Sequence, residues 1–158
     1  MKNRLFKGIG LLLVLCTVSA FADDTVRIGS AAELAALGGK DFTGTLELTQ
    51  DIDMTGVAMQ PITSFAGTFN GNGYTIKNLA ITAEKRAYSS TAQGVALFET
   101  FTGTARDLVF ENPSITLTDG QMVGTAVLCG VVGEDGATIE NVGIVGGSIS
   151  MESTKTTY

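Results

Sequence analysis

The acidic side chains are the groups in this chain that could do chemistry, because its 158 residues include 16 Asp and Glu but no histidine. The lack of histidine excludes Ser-His-Asp and Cys-His catalysis and zinc sites with histidine ligands. Asp51 and Asp53 alternate along a predicted strand and therefore face the same side of it. Their oxygens make them candidate calcium ligands, although an acidic pair beside a turn accounts for the same spacing.

Carboxylates also raise an enzymatic alternative, a carbohydrate-active lyase or hydrolase. The basic residues that a lyase needs to stabilise its anionic intermediate are sparse and scattered. The glycine motifs at residues 71–73 and 143–147 precede no predicted helix, so we interpret them as turns and not as phosphate loops. We therefore predict no catalytic residue, no cofactor and no enzymatic activity. The remaining acidic candidates all fall at predicted turns or corners: Asp107, Asp119, Asp135 and Glu140.

The N-terminal segment, residues 1–22, predicts export. It combines three basic side chains before position 8, an apolar run at residues 11–18 and the small-x-small sequence AFA at residues 20–22. This pattern is typical of a cleaved secretory signal peptide. The apolar run is shorter than a membrane-spanning helix, and no second run follows it. We expect a secreted or cell-surface protein, in the periplasm or on the outer surface, that does not span the membrane.

Residues 23–158 form the second predicted region, a single domain. They carry 7 basic and 16 acidic residues, a net charge of −9. This charge argues against nucleic acid and anionic membranes as partners, since both select positive charge. The single cysteine of this region, Cys129, lies between apolar residues, so we expect an inert core residue that makes no intrachain disulfide.

A short helix is predicted at residues 30–37. Ser30 and Glu33 have the spacing of a capping box, in which the serine accepts from the glutamate amide and the glutamate reaches back to the serine amide. Two glycines end the helix, which we expect to cover the N-terminal end of the core. From residue 42 onward, short β-type runs alternate with turn residues, which indicates an all-β domain.

An internal repeat specifies the type of all-β fold. The segments YTIKNLAI, TARDLVF and TIENVGI align with Asn78, Asp107 and Asn141 at the same position, with a longer interval between the second and third copies than between the first two. Asn and Asp tolerate the left-handed conformation of a sharp corner, so we expect these three to form a ladder along one corner. The last two copies also match downstream, Ile115 with Ile149 and Leu117 with Met151, and upstream, Val95 with Cys129 and Leu97 with Val131.

The recurring register favours a parallel β-helix of about four coils, a solenoid in which stacked coils share one core. The alternative is an antiparallel sandwich, in which the sequence NGNG at residues 70–73 closes a hairpin. In the β-helix, the apolar repeat positions point inward: Ile76, Leu79, Ile81, Leu97, Leu108, Phe110, Val131, Ile139, Val142 and Ile144.

One segment carries a family resemblance. FAGTFNGNGYTIKNL at residues 65–79 resembles the phrase F-x-G-T-F-D-G-N-G-H-x-I-x-N-L of bacterial surface proteins with GLUG repeats, and DIDM at residues 51–54 resembles the D-I-D-L that precedes it. The sequence GVVG at residues 130–133 takes the place of the G-L-x-G motif, whereas the second copy lacks the closing glycine. The resemblance implies a right-handed β-helix of adhesins or of the non-catalytic regions of immunoglobulin A-specific metallopeptidases.

These observations predict an exported, non-enzymatic surface or adhesin-type module, or else a purely structural piece of a larger secreted peptidase or adhesin. The polar insert at residues 83–93 is the candidate binding loop for a host or surface glycan or protein, through Lys85, Arg86 and Tyr88. No capping helix follows the last coil, so Ile144, Ile149 and Met151 should form an exposed edge. We expect either that the chain continues in a longer protein or that it self-associates through this C-terminal coil.

Overall fold

The computed structural model describes residues 25–84, 94–118 and 124–152. Strands make up 61% of the structure and helix 4%, which confirms the predicted all-β fold. The elements, in chain order, are β1 (Thr25–Ile28), α1 (Ala31–Ala35), β2 (Asp41–Leu48), β3 (Ile52–Asp53), β4 (Ile62–Asn70), β5 (Thr75–Lys77), β6 (Ala80–Glu84), β7 (Gly94–Val95), β8 (Phe98–Phe101), β9 (Thr104–Glu111), β10 (Ser114–Thr118), β11 (Gly124–Thr125), β12 (Cys129–Val132), β13 (Thr138–Val145) and β14 (Ser148–Glu152).

Every strand pairing within the described residues is parallel. The sequence NGNG at residues 70–73 closes no hairpin, because β9 pairs with β4 through its first residues and with β5 through its last. The chain therefore continues past this turn in the same direction, which argues against the antiparallel sandwich. One sheet contains β1, β2, β4, β8, β9, β12 and β13 together with β3 and β5, a second contains β6, β10 and β14, and a third contains β7 and β11.

The strand register repeats at a constant sequence interval through the second half of the chain. Ala80 pairs with Ser114 and Ser114 with Ser148, and Thr104 pairs with Thr138 at the same spacing. The predicted downstream matches, Ile115 with Ile149 and Leu117 with Met151, are confirmed.

The upstream matches are wrong. Val95 pairs with Thr125, and Cys129 pairs with Phe98. These paired residues are fewer positions apart in the sequence than the paired residues of β9 and β13. The turn between β12 and β13 is longer than the turn between β8 and β9, and its extra residues restore the original interval. An alignment with one constant interval cannot detect length changes that compensate one another.

Inward-facing apolar residues from successive strands form one core. Phe42, Phe65 and Phe101 occupy equivalent positions on neighbouring strands, with ring centroids 5.3 and 5.4 Å apart and nearly parallel planes. Six of the predicted inward residues are buried: Ile76, Leu79, Ile81, Leu97, Leu108 and Phe110.

The predicted inward residues of the last strands are not fully buried, although Ile139, Val142 and Ile144 pair in register with buried residues of β9. Ile139 and Ile144 are 51% and 54% exposed, and Val131 and Val142 are half-buried. The register places Ile139 beside the buried Ala105 and Ile144 beside the buried Phe110. They are exposed because, among the described residues, β13 pairs with β9 on one side and with no strand on the other.

The predicted capping helix is present but shorter, because it ends at Ala35 and the chain then continues in turns. The Ser30 side chain accepts from the Glu33 amide at 3.3 Å, as predicted. Glu33 Oε2 accepts from the Gly29 amide at 2.8 Å, one residue earlier than expected. Hydrogen bonds to the Glu33 carboxylate, first from the Gly29 amide and then from the Ser30 side chain, lower the pKa of Glu33. Leu34 is fully buried in the core, so α1 covers apolar side chains directly after the edge strand β1.

Candidate functional site

The three predicted corner residues all have the left-handed conformation. The φ angles of Asn78, Asp107 and Asn141 are 54°, 52° and 51°. Asp107 and Asn141 lie in one column, between the paired residues of β9 and β13, and Asn141 Nδ2 donates to Asp107 Oδ1 at 2.8 Å. At this corner, a side-chain hydrogen bond joins two successive passes of the chain.

Asn78 does not share this column, so the predicted ladder of three residues is wrong. Lys77 pairs with Glu111, which places Asn78 next to Asn112, another residue with a positive φ, 51°. The sequence alignment matched Asn78 with Asp107, whereas in the structure Asp107 lies opposite Gly71 and the turn that follows it. The structure therefore has two separate corners built from Asn and Asp.

Asp53 is a hydrogen-bond acceptor at the second corner. Its Oδ1 accepts from Asn78 Nδ2 at 3.0 Å, from the Thr55 amide at 3.0 Å and from the Thr55 hydroxyl at 2.7 Å. The bond from Asn78, followed by those from Thr55, lowers the pKa of Asp53 from its ordinary value of 3.8 to about 2. This carboxylate stays ionised at neutral pH and cannot act there as a general acid.

Asp51, the other calcium candidate, contacts the next strand. Its Oδ1 accepts from the Thr75 amide at 3.0 Å, and its Oδ2 lies 3.6 Å from Lys77 Nζ. Lys77 Nζ also lies 3.9 Å from Glu111 Oε2, so the lysine links three passes of the chain. No group of three or more His, Cys, Asp or Glu side chains that could hold a metal occurs in the part of the chain that the structure describes. The contacts give both aspartates a structural role.

The other predicted positions are not brought together. Lys85, Arg86, Tyr88 and Asp119 lie outside the described residues, as do the signal peptide and residues 153–158. Asp135 lies in the turn before β13, and Glu140 is exposed on β13. Cys129 is half-buried against the core, and desolvation raises the pKa of its thiol. A raised pKa reduces the thiolate fraction and with it the reactivity of the thiol.

A row of hydroxyls runs across the outside of the large sheet, and sequence alignment of the repeat missed it. The five threonines are paired successively across neighbouring strands, and the residue after each of the middle three is buried in the core: Thr25, Thr45, Thr68, Thr104 and Thr138. Adjacent strands lie about 4.8 Å apart, so the row spans roughly 20 Å. Such a row is able to donate and accept hydrogen bonds along an extended polar ligand.

The last strands expose a set of apolar side chains that we call the end face. Each is more than half exposed, and each pairs in register with a buried residue on the preceding strand. The predicted exposed edge of Ile144, Ile149 and Met151 is confirmed. The sequence did not indicate Val132, because the interval between β8 and β12 was misassigned, or Ile139, because we expected it to be buried. The end face comprises Val132, Ile139, Ile144, Ile149 and Met151, with exposures of 51–54%.

The described helix is too short and insufficiently apolar to cross a membrane. No model of a known protein family matches the chain, and no solved structure matches it. The chain is similar to halomucin from Haloquadratum walsbyi, at 33% identity over 117 residues. The similarity covers 66% of this chain but 1% of halomucin, so the chain spans a very small part of that relative.

Proposed function

We propose that the chain is an exported, non-enzymatic β-helix module that binds or scaffolds at the cell surface. The observation that carries this proposal is the repeating register, in which parallel strands recur with their buried side chains aligned. A regular stack of this kind offers long outward-facing rows, such as the five threonines, in place of one concave site. The resemblance of residues 65–79 to GLUG repeats supports the same function.

The proposed architecture is a right-handed parallel β-helix of about four coils. Successive passes of the chain place β2, β4, β9 and β13 side by side, and β6, β10 and β14 side by side. In a β-helix, each pass is one coil and its neighbours bury its apolar side chains.

Deletion of one complete repeat tests the architecture. Removal of residues 104–137 joins Gly103 to Thr138, which occupies the same register position as Thr104. We expect the shortened protein to unfold cooperatively and to keep a β-type circular dichroism spectrum with less than about a quarter helix. The control removes residues 104–120, half a repeat, which should prevent folding because it breaks the register. A shortened repeat protein that does not fold would contradict the β-helix.

The contacts of the carboxylates support a non-enzymatic role. Asp53 accepts three hydrogen bonds, and Asp51 lies beside Lys77 and the Thr75 amide, so both are used to join neighbouring strands. The competing hypothesis is a polysaccharide lyase or hydrolase. Incubation with acidic and host glycans distinguishes the two, because release of reducing or unsaturated ends that is lost in Asp51→Asn or Asp53→Asn would overturn our proposal.

The surface location is tested on cells that produce the protein naturally. We expect an antibody against residues 23–158 to label intact cells, and external protease to remove that label without lysis. A label that becomes accessible only after lysis would contradict the proposal. The similarity to a short part of halomucin supports a module that also occurs within longer chains. An immunoblot with the same antibody would identify that case by a band larger than residues 23–158.

A further inference from the structure

We propose that an open polar recess at one end of the threonine row binds a neutral saccharide. Residues 102–104 of one pass of the chain and residues 135–138 of the next line this recess, whose volume is about 360 Å³. That volume lies within the range of roughly 300–1,000 Å³ that is typical of small-molecule sites. The inference rests on the proposed function, because it names the class of ligand that the binding module takes.

Extra residues in one turn create the recess. Phe101 pairs with Val132, and Thr104 pairs with Thr138. Five residues therefore connect β12 to β13, where two residues connect β8 to β9. The longer connection forms one wall of the recess, and the shorter connection with the first residue of β9 forms the other.

Hydrogen bonds hold the longer turn in place at both ends. The Gly133 amide donates to the Phe101 carbonyl at 3.0 Å, and the Thr138 amide donates to the Gly103 carbonyl at 2.9 Å. Within the turn, the Gly136 amide donates to the Gly133 carbonyl at 3.0 Å. The shape of the recess is therefore set before a ligand binds, which reduces the entropy cost of ordering protein groups around it.

The side chains that line the recess match the hydroxyl groups of a sugar. They provide three hydroxyls, from Thr102, Thr104 and Thr138, and the carboxylate of Asp135. Among the residues that the structure describes, these four side chains have no hydrogen-bonding or ionic partner. Each hydroxyl donates one hydrogen bond and accepts others, and a carboxylate accepts from two neighbouring hydroxyls through its two oxygens.

The charge of the recess favours a neutral ligand. Its lining contains a carboxylate and no lysine or arginine, and residues 23–158 have a net charge of −9, so phosphate, sulfate and uronic acid groups are repelled. Farther along the same strands, Arg106 and Glu140 pair in register and their charges cancel. An aliphatic ligand would leave the three hydroxyls and the carboxylate without hydrogen-bonding partners, which costs binding free energy.

The threonine row extends the recess towards neighbouring strands. Thr104 and Thr138 belong to both the row and the recess, and Thr68 is the next member of the row. Strands lie about 4.8 Å apart, so an oligosaccharide that crosses them meets a hydroxyl on each strand. Oligosaccharides should therefore bind more tightly than the monosaccharides from which they are built.

NMR titration of residues 23–158, the chain expected after signal-peptide cleavage, tests the inference. The probes are glucose, galactose, mannose, N-acetylglucosamine and their oligomers of up to four units. We expect at least one of these sugars to shift the amide signals of residues 102–104 and 135–138, with an affinity that added salt leaves unchanged. The longer oligomers of that sugar should bind several-fold more tightly and also shift the Thr68 amide.

Asp135→Asn should weaken the binding at least about tenfold, because hydrogen bonds to an ionised acceptor are the strong ones. Glu134→Gln is the matched control, since it removes the same charge from the neighbouring exposed residue, which does not line the recess, and it should bind like wild type. Circular dichroism verifies that both variants fold. If Asp135→Asn does not fold, Thr138→Val decides, because it removes one hydroxyl of the recess and should also weaken binding.

The inference is wrong if none of the sugars shifts the signals of the recess or if the two charge variants weaken binding equally. Binding of polylysine at the recess that salt weakens, with no sugar bound, would identify a site for basic peptides and overturn it as well. Failure of the proposed function gives different results. A sugar that binds at the recess and is cleaved would contradict the non-enzymatic role, whereas intact cells that carry the antibody label while no sugar binds would contradict this inference alone.

Discussion

At the scale of single residues, the ionisable and amide side chains at the corners join one pass of the chain to the next. Asn141 donates to Asp107, and Asn78 donates to both Asp53 and Thr55. Asn78, Asp107, Asn112 and Asn141 all have φ angles between 51° and 54°, a conformation that Asn and Asp tolerate better than other non-glycine residues. These residues therefore provide the corner geometry and also the bonds between the passes.

We predict that Asp53→Asn makes the protein less stable at pH 7 and removes part of its acid sensitivity. The folded pKa of Asp53, about 2, is below its ordinary value of 3.8. A carboxyl with a lowered folded pKa stabilises the fold above its unfolded pKa, and this stabilisation is lost as the pH falls through the folded value. The stability difference between wild type and variant should therefore shrink between pH 4 and pH 2.

Urea denaturation across that pH range measures the effect. Asp135→Asn is the matched control, since it removes one negative charge from an exposed turn without affecting the Asn78 and Thr55 contacts. At pH 7 we expect the control to lie closer to wild type than Asp53→Asn does. A stability difference for Asp53→Asn that stays constant from pH 7 to pH 2 would contradict the assigned role of the carboxylate.

At the scale of elements, glycines allow neighbouring strands to approach closely at one position. Gly44 pairs with Gly67, and Gly103 lies directly beyond Gly67 on the next pass of the chain. A methyl group on Gly67 would overlap the carbonyl of Gly44, and one on Gly103 would overlap the carbonyl of Gly67. Glycine is therefore required in this column because backbone, and not a flexible side chain, occupies the space.

We predict that Gly67→Ala lowers the free energy of unfolding by about 3 kcal/mol or more, at the upper end of overpacking effects because a strand must move. Gly143→Ala is the control. Gly143 also lies in a strand, but a methyl group there would meet only Val109 Cγ2 at 3.8 Å, so we expect a change below about 1 kcal/mol. Urea unfolding of the two variants and wild type provides the comparison. Equal effects of the two substitutions would show that close backbone approach is not the cause.

At the scale of the whole molecule, one core runs along the stack and differs at its two ends. Phe65 lies in the middle of the aromatic part of this core, with its ring centroid 4.5–6.5 Å from those of Phe42, Phe69, Phe98 and Phe101. Near β1 the core is covered by α1, whereas at β13 and β14 it ends in the exposed end face. Interior positions should therefore contribute more to stability than positions near either end.

We predict that Phe65→Ala lowers the free energy of unfolding by about 3–5 kcal/mol, the usual cost of removing a fully buried phenylalanine. Phe42→Ala should cost clearly less, because Phe42 is half-buried and stacks on Phe65 alone among the described rings. Thermal or urea unfolding followed by circular dichroism measures both. An equal or larger loss for Phe42→Ala would contradict the description of Phe65 as the centre of the aromatic cluster.

Several features of the protein follow from the sequence alone. The all-β class, the Ser30 cap, the left-handed corner residues and the pairing of Ile115 with Ile149 were all predicted correctly. Each depends on local chemistry or on a repeat interval without length changes: β-type runs between turn residues, a serine oxygen near a free helix amide, and Asn or Asp at a corner. Such preferences act within a few residues of chain and are therefore visible in the sequence.

Tertiary structure decided the register and the exposure of the repeat positions. Asn78 matches Asp107 by sequence, but hydrogen bonding of β5 to β9 places Asn78 beside Asn112. Parallel strands align by backbone pairing, so insertions in the turns shift the sequence motif relative to that pairing. Ile144 has the inward pattern of Phe110, yet it is 54% exposed, because no described element covers the side of β13 that faces away from β9. Whether an apolar residue lies in a core or on an interaction surface depends on what stacks next to it, and that is a property of the assembled fold.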